Sequence, residues 1–203
     1  MTATSAIDFY FDFSSPYGYF ASTVIDQLAA RHGRSVQWHP ILLGAIFKTT
    51  GMQPPVQYPL KGDYIWHDFA RSARFHDIPY RRPSRFPLPT QAAARATLWA
   101  REALGSERAV TLARAIYRAL FVDDVDISEP AEIVKIGAAL GIDSGALEQG
   151  MQQPSIKEQL KTGVEQAMAR GVFGSPYVIV DGESFWGFDR FAQIEALLQN
   201  GKI

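Results

Sequence analysis

One stretch of the sequence decides the fold, and it reads Ile7-Asp8-Phe9-Tyr10-Phe11-Asp12-Phe13-Ser14-Ser15-Pro16-Tyr17. Up to Phe13, isoleucine or phenylalanine alternates with aspartate or tyrosine, and this period of two is typical of a strand. Ser15 then precedes Pro16, which favours a helix start. A serine hydroxyl accepts a hydrogen bond from a free backbone N–H, and proline has no N–H to leave unpaired. The stretch predicts a strand that leads directly into the N-terminus of a helix.

Further strand patterns lie on either side of a long central region. Residues 36–43 follow the first helix and read as a second strand, although Pro40 should interrupt its hydrogen bonding. A strand, a helix and a second strand in succession favour parallel pairing by default. Near the other end of the chain, a dipeptide typical of tight hairpins separates two short strand patterns, in the order 177–180, Asp181-Gly182 and 184–186.

Helical patterns dominate the region between these strands. After an irregular loop at 48–59, helices are predicted at 63–76, 90–104, 106–120 and 130–141, and a further one from Pro154 to about residue 170. The helix caps that we expect are Thr90, Ser106 and, for the last helix of the chain, Asp189. These patterns predict an α/β protein with a thioredoxin-like fold, formed by residues 1–45 and 155–203, and an all-α domain inserted at 46–154.

The composition excludes several classes of protein. The 203 residues include no cysteine, so disulfides, thiolate metal sites and an intrinsic dithiol redox cycle are ruled out. The net charge of −1 gives no reason to expect nucleic acid or a membrane surface as a partner, and the four histidines lack the spacing of metal ligands. Residues 1–5 do not resemble the start of a secretory leader, and no apolar run is long enough to cross a membrane. We therefore expect a cytoplasmic protein.

Two serine–proline pairs are candidates for function. At Ser15 the helix N-terminus favours negative charge, and a hydroxyl donor there could stabilise a bound thiolate, whose parent thiol has a pKa of ~8.5. Ser15 could equally be a helix cap alone. In the predicted topology Ser175-Pro176 begins the third strand, where a cis bond and main-chain pairing with an extended peptide such as glutathione are expected. An ordinary trans turn fits the sequence as well, so the residue spacing leaves both alternatives open.

Three motifs, present together and in order, resemble one known family. They are the opening stretch from Asp8 to Tyr17, Gly171-Val172-Phe173-Gly174-Ser175-Pro176, and Phe185-Trp186-Gly187-Phe188-Asp189-Arg190. Over essentially its whole length the chain resembles the 2-hydroxychromene-2-carboxylate isomerases, which are related to kappa-class glutathione transferases and have a DsbA-like fold. The resemblance implies a glutathione-dependent isomerase of an aromatic hydroxy-carboxylate that acts by reversible thiolate addition. A glutathione transferase and a non-catalytic glutathione-binding module are the alternatives.

The resemblance also implies which residues act. Ser15 matches the catalytic serine, Ser175 matches the residue that binds glutathione through its main chain, and Asp189 matches the acidic residue that holds the γ-glutamyl amine. Met52, Ser175 and Tyr177 depart from the residues usual at those positions, which leaves the second substrate open. The full set implied for glutathione is Ser15, Lys61, Gly174, Ser175, Pro176, Asp189 and Arg190, with no metal ion. A homodimer is a possible assembly.

Charge is distributed unevenly along this nearly neutral chain. Residues 71–118 contain ten arginines and three acidic residues, a balance of +7, whereas residues 123–148 contain seven acidic residues and one lysine, a balance of −6. The two stretches could be solvated helical faces that meet each other, or some of the arginines could hold an anionic substrate. For a small aromatic anion, the substrate-binding residues that we predict are Tyr17, Arg81, Arg82 and Arg85.

Overall fold

A four-stranded mixed sheet lies at the centre of the computed structural model, which describes residues 6–203. Its strands are β1 (Ile7–Phe11), β2 (Val36–Pro40), β3 (Tyr177–Val180) and β4 (Glu183–Trp186). The strand order is β2-β1-β3-β4, in which β1 and β2 are parallel and β3 is antiparallel to both of its neighbours. The presence of all four predicted strands, the hairpin and the parallel first pair is therefore confirmed.

Helices make up most of the remaining chain. In order they are α1 (Pro16–Arg31), α2 (Leu43–Thr50), α3 (Lys61–Phe75), α4 (Gln91–Leu104), α5 (Ser106–Phe121), α6 (Pro130–Ala139), α7 (Ser144–Gln152), α8 (Pro154–Ala169) and α9 (Phe191–Asn200). Short 3-10 turns occupy Pro55–Gln57 and Phe188–Arg190. Of the helices in the described residues, none has the length and apolar character needed to cross a membrane. The prediction that no secretory leader is present concerns residues 1–5, which lie outside the described part.

The prediction for the segment after β2 is wrong. The strand predicted at 36–43 ends at Pro40, opposite Phe11, the last residue of β1. Pro40 does not interrupt the bonding to β1, contrary to the prediction, because Ile41 N–H still donates to the carbonyl oxygen of Phe11 at 2.8 Å. The chain then turns into α2 at Leu43, although a loop was predicted from residue 48. Helix α2 ends at Gly51, whose φ of +74° is one that glycine adopts readily. Helix α7 was not predicted either.

The helices from α3 to α7 lie between β2 and α8 in the chain, as expected of a helical insertion. Helix α4 packs against α5, α7 and α8 and also touches β2, so the insertion is tied to the sheet. The predicted junction at 45/46 falls inside α2. The division into 1–45 with 155–203 and 46–154 stays a proposal.

None of the three residues predicted as helix caps makes the expected capping bond in the structure. Gly105, with φ of +90°, precedes α5, and Ser106 is already its first helical residue. Thr90 does precede α4, but its hydroxyl makes no capping bond and donates to Asp12 instead. Asp189 lies in the 3-10 turn immediately before α9 and does not cap that helix.

Aromatic side chains pack β1 against α5 next to the helix start at Ser15. The rings of Phe11 and Phe13 have centroids 5.9 and 4.9 Å from that of Tyr117. These three side chains are almost completely buried. Because burying one such side chain contributes about 1.5–3 kcal/mol, the cluster fixes the end of β1 relative to α5.

Candidate active site

Ser15 lies just beyond the carboxyl end of β1 and caps α1. Its Oγ accepts a hydrogen bond from Gly18 N–H at 3.0 Å, as predicted for a cap. The same hydroxyl donates to the main-chain carbonyl oxygen of Ser175 at 2.8 Å. Ser15 is 5% exposed, so both bonds are shielded from water. Capping is therefore only one of the two contacts that this hydroxyl makes.

Ser175 joins the two ends of the chain at this point, although it is 160 residues from Ser15. Its peptide bond to Pro176 is cis, as expected, and a second cis bond, between Phe86 and Pro87, was not predicted. The Ser175 hydroxyl accepts a hydrogen bond from Asp12 N–H at 3.0 Å. Within residues 6–203, the N–H of Ser175 donates to no acceptor. Ser175 thus has a fixed side chain and an unpaired main-chain donor.

Asp12 holds the elements around Ser15 together, and the sequence did not identify it as a site residue. Its Oδ1 accepts from Ser14 N–H at 2.8 Å and from Thr90 Oγ1 at 2.9 Å, and its Oδ2 accepts from Leu43 N–H at 2.5 Å. Burial raises the pKa of this carboxyl, although the three hydrogen bonds oppose the shift. An acidic residue between a strand end and a helix start was the signal that could have revealed it.

The first turn of α1 is packed closely against this cluster. A Cβ added at Gly18 would lie 2.7 Å from Tyr117 Oη and 2.8 Å from Ser175 Oγ. Tyr117 donates its hydroxyl to the carbonyl oxygen of Asp12 at 2.9 Å. Only glycine lets the helix approach so closely, and this approach brings Ser15 within reach of Ser175.

Tyr17 connects the first turn of α1 to α3. Its hydroxyl donates to one carboxylate oxygen of Asp68, and the other oxygen accepts from Arg71. Arg71 also donates to the Tyr64 hydroxyl at 3.0 Å. Burial, and after it the hydrogen bond to Asp68, raises the pKa of Tyr17 above its usual range. The phenol therefore remains protonated at neutral pH, and its proton is held by Asp68.

Gly174, another predicted site residue, lies under an aromatic surface. A Cβ at this position would collide with the indole nitrogen of Trp186. Trp186 is 56% exposed and contacts Phe173, with ring centroids 4.9 Å apart. Glycine is required here because the indole covers the backbone just before Ser175.

Asp189 and Arg190 form an exposed ion pair of 3.1 Å in the turn before α9. Phe188 anchors that turn on α1, because its buried ring has its centroid 5.9 Å from that of Phe20. The negative charge of Asp189 adds to the larger effects of burial and Asp68 on the pKa of Tyr17. Asp189 therefore lies on the side of α1 that carries Tyr17.

Lys61 stands in the first turn of α3, one turn before Tyr64 and on the same side of that helix. Its Nζ lies 5.6 Å from the centre of the Tyr58 ring. In the described part of the chain no direct hydrogen bond or ion pair joins Lys61 to Ser15 or Ser175.

Of the three arginines predicted to hold substrate, Arg82 differs from Arg81 and Arg85 in the partner of its guanidinium group. Two are ion-paired, as Arg81–Asp124 at 3.3 Å and Arg85–Asp126. The guanidinium of Arg82 lies 4.2 Å from the ring centre of Trp66, and among residues 6–203 it has no carboxylate partner. Trp66 contacts Phe69, which contacts Tyr17, with ring centroids 5.6 and 4.9 Å apart. An aromatic row thus leads from Arg82 to the first turn of α1, while the paired arginines join the basic stretch to the acidic one.

A cavity of about 670 Å³ lies apart from these residues, and none of the predicted site residues lines it. Its lining includes Tyr10, His39 and Arg170. His39 Nε2 lies 2.7 Å from one oxygen of Asp8, and Arg170 lies 2.8 Å from the other. Over the described residues, no group of three histidine or acidic side chains is arranged to hold a metal ion.

Comparisons with known proteins agree on one kind of domain. The family model described as DSBA-like thioredoxin domain matches residues 6–199. The 2-hydroxychromene-2-carboxylate isomerase of Sphingobium xenophagum is 30% identical over 197 residues, which cover 96% of this chain and 98% of that protein. Glutathione S-transferase kappa 1 of Caenorhabditis elegans is 31% identical over 208 residues, with coverage of 95% and 90%. A solved structure of 2-hydroxychromene-2-carboxylate isomerase superposes with a TM-score of 0.86 at 23% identity, covering 96% of this chain and 95% of that one.

Proposed function

This chain belongs to the DsbA-like thioredoxin domain family, with 2-hydroxychromene-2-carboxylate isomerases and kappa-class glutathione transferases among its relatives, and we propose that it is itself a glutathione-dependent isomerase. The substrate that we propose is an aromatic hydroxy-carboxylate of the 2-hydroxychromene-2-carboxylate type. A cytoplasmic location and a homodimer remain predictions from the sequence.

The observation that carries the proposal is the position of the Ser15 hydroxyl at the start of α1 in a chain without cysteine. Where a family member with cysteine could react through its own sulfur, this protein must obtain a thiol from its ligand. The helix N-terminus favours a negative charge, and a hydroxyl donor favours the ionised form of a nearby thiol. Ser15 therefore suits the stabilisation of a bound thiolate.

The residues around Ser15 fit glutathione in particular. The N–H of Ser175 donates to no acceptor among residues 6–203, and such a main-chain donor pairs with an extended peptide as a neighbouring strand would. Asp189 would hold the ammonium group of the γ-glutamyl residue, and Lys61 and Arg190 would hold its carboxylates. Gly174 lets the backbone before Ser175 pass under Trp186.

In the proposed isomerisation, glutathione would supply the nucleophile and the protein would stabilise the charged groups. When bound, glutathione supplies a thiolate that adds reversibly to a conjugated double bond, so that rotation becomes possible before the thiolate leaves again. Ser15 stabilises the ionised sulfur, and Arg82, which has no acidic partner among residues 6–203, holds the substrate carboxylate. Tyr17 orients α3 and does not donate a proton to substrate, because Asp68 holds its hydroxyl.

A spectroscopic assay separates the three candidate functions. 2-Hydroxychromene-2-carboxylate is incubated with the protein, with and without glutathione, and the ultraviolet spectrum is followed while glutathione is quantified. Isomerisation that needs glutathione without consuming it supports the proposal. Accumulation of a stable conjugate with this or a simpler electrophile indicates a transferase, for which the 31% identity to a kappa-class transferase is the specific support. Binding of glutathione without turnover of either substrate indicates a binding module.

A further inference from the structure

The cavity of about 670 Å³ is lined by residues from β1, β2, α4 and α8, away from the start of α1. Its volume is typical of small-molecule sites, which measure about 300–1,000 Å³. Leu98 and Leu160 contribute buried apolar side chains, and the rings of Tyr10 and His39 form a flat wall, stacked with their centroids 4.7 Å apart. The cavity is therefore suited to the apolar body of a small organic molecule.

Arg101, in the last turn of α4, brings a positive charge to this cavity. Its guanidinium group makes one long hydrogen bond, to the carbonyl oxygen of Trp38 at 3.4 Å, and has no carboxylate partner among residues 6–203. By contrast Arg114, whose guanidinium lies 5.5 Å from the Trp38 ring centre, is paired with Asp26 at 2.8 Å. Arg101 is half-buried, and a cation removed from water without a counter-ion is unfavourable, so an anion in the cavity would be stabilised.

The acidic groups at the cavity are already engaged by other cations. Asp8 accepts a hydrogen bond from the lining residue Arg170 at 2.8 Å. Glu158, which also belongs to the lining, is exposed and lies 3.3 Å from Lys161. The charge of Arg101 therefore remains available for a negatively charged ligand.

We propose that this cavity binds a small organic carboxylate with an apolar body, at a second site separate from Ser15. The carboxylate accepts hydrogen bonds from Arg101, whose parallel N–H groups match its two oxygens, and the body packs against Leu98 and Leu160. None of the residues predicted for glutathione or for the substrate lines the cavity, so both sites can be occupied at once. The proposal holds whether or not the protein uses glutathione.

The test titrates isotope-labelled protein with benzoate and follows the backbone N–H signals by nuclear magnetic resonance. We expect saturable shifts at Gln159 and Gln166, two residues of α8 in the cavity lining. Acetate has the carboxylate without the body, and benzyl alcohol has the body without the charge. Each should therefore bind at these signals at least roughly tenfold more weakly than benzoate.

Variants identify the groups that bind the probe. Arg101→Met keeps an apolar stem but removes the charge, so benzoate should bind roughly tenfold more weakly or worse. Arg108→Met is the matched control, because Arg108 also donates to a main-chain carbonyl, that of Leu140 at 2.8 Å, but lies outside the cavity lining. Thr162→Phe places a large side chain in the lining and should block the cavity, which provides the test if Arg101→Met is unstable.

The outcomes separate this site from the one proposed at Ser15. Benzoate shifts at Gln159 and Gln166 that are lost in Arg101→Met and Thr162→Phe but persist in Arg108→Met support the second site. Absence of these shifts, their survival without the Arg101 charge, or equal affinity for benzyl alcohol overturns it. Shifts confined to the signals around Arg82 also overturn it, because they report only the substrate site of the proposed function.

Discussion

Thr90 donates its hydroxyl to Asp12 at 2.9 Å and so joins the start of α4 to the strand end that precedes Ser15. The two residues are 78 positions apart, and both are almost fully buried. The Asp12 carboxylate also accepts hydrogen bonds from the backbone N–H of Ser14 and from that of Leu43 at the start of α2. One carboxylate thus sets the relative positions of three helix starts, and the stability of the protein should depend on each of its donors.

The first prediction concerns the Thr90 hydroxyl. Thr90→Val keeps the shape of the side chain but removes one donor from a buried carboxylate, so the free energy of unfolding should fall by about 1–3 kcal/mol. Urea denaturation measures this change. Thr97→Val is the matched control, because the hydroxyl of buried Thr97 in the same helix donates to Ala93 O at 3.0 Å and, within the described residues 6–203, makes no other hydrogen bond. Equal losses in the two variants would show that the Asp12 bond has no special role.

The second prediction concerns the role of Ser15 in turnover. Ser15→Ala removes the proposed donor to the thiolate, so kcat should fall roughly 100-fold, the loss typical of one donor to a developing negative charge. The dissociation constant of glutathione should change only slightly, because the proposed function assigns the rest of the peptide to Ser175 and Asp189. Loss of the bond from Gly18 N–H should also lower stability by ~1 kcal/mol.

The neighbouring serine provides the control for that variant. Among residues 6–203, Ser14 Oγ makes only a long contact with Leu88 N at 3.4 Å, so Ser14→Ala should retain kcat and the affinity for glutathione. Steady-state kinetics and calorimetry on both variants test the assignment. Wild-type turnover in Ser15→Ala would exclude a catalytic role for its hydroxyl.

The third prediction distinguishes the three arginines of the connecting segment. Arg82→Ala should raise KM for an aromatic carboxylate by roughly one to two orders of magnitude, because a charge-assisted bond contributes ~1.5–3 kcal/mol. Arg81 and Arg85 are engaged by acidic partners at the surface, and their replacement by alanine should change KM little. The affinity for glutathione should be unchanged in all three. Equal and negligible effects in the three variants would move the carboxylate site to Lys48, Lys61 or Arg190.

Local sequence signals were sufficient to predict the elements that carry the site. The Ser15-Pro16 pair marked the start of α1, and Asp181-Gly182 marked the turn between β3 and β4, because caps and tight turns depend on a few adjacent residues. The α/β fold is confirmed by the domain match over residues 6–199, and the family resemblance is confirmed by that match together with the isomerase and kappa-class relatives.

Contacts between distant residues could not be predicted in this way. The alternation over residues 7–13 indicated one polar face, yet Tyr10 in β1 and Asp12 just after it are only 4% and 2% exposed. The importance of Asp12 depends on Thr90, which no periodicity connects to it. Likewise, only the folded chain shows that Arg82 stacks on Trp66 while its neighbours find acidic partners.

The fourth prediction is that the protein loses stability in mild acid through the pair Asp8–His39. Burial lowers the pKa of His39 below 6.5 although its bond to Asp8 opposes the shift, so the unfolded chain takes up a proton that the folded chain does not. Stability should therefore decline as the pH falls from 6.5 toward the lowered pKa of His39. It should decline again below 3.8, because hydrogen bonds from Arg170 and His39 outweigh burial and lower the pKa of Asp8.

Urea denaturation at a series of pH values tests this dependence. His39→Gln keeps an N–H donor near Asp8 but does not titrate, so the decline that begins near pH 6.5 should become shallower. His67→Gln on the exposed side of α3 is the control and should follow the wild-type curve. Identical curves for both variants would assign the acid sensitivity to other groups.

The last prediction uses the contact between Gly174 and Trp186. Gly174→Ala places a methyl group where the indole lies, so either the indole or the backbone before Ser175 must move. If the backbone moves, the main chain of Ser175 is displaced and glutathione should bind at least tenfold more weakly, the equivalent of about 1.4 kcal/mol.

Trp186→Ala alone removes an exposed side chain and should weaken binding less. In the double variant the methyl group has room, so affinity should return toward that of Trp186→Ala. Gly163→Ala in α8, where a Cβ would meet no atom of the described part of the chain within 4 Å, controls for the substitution itself and should be neutral or slightly stabilising. Calorimetry on the wild type, the two single variants at Gly174 and Trp186 and their double variant gives the coupling energy between the two positions. Independent, additive losses would mean that the indole does not control the position of the Ser175 backbone.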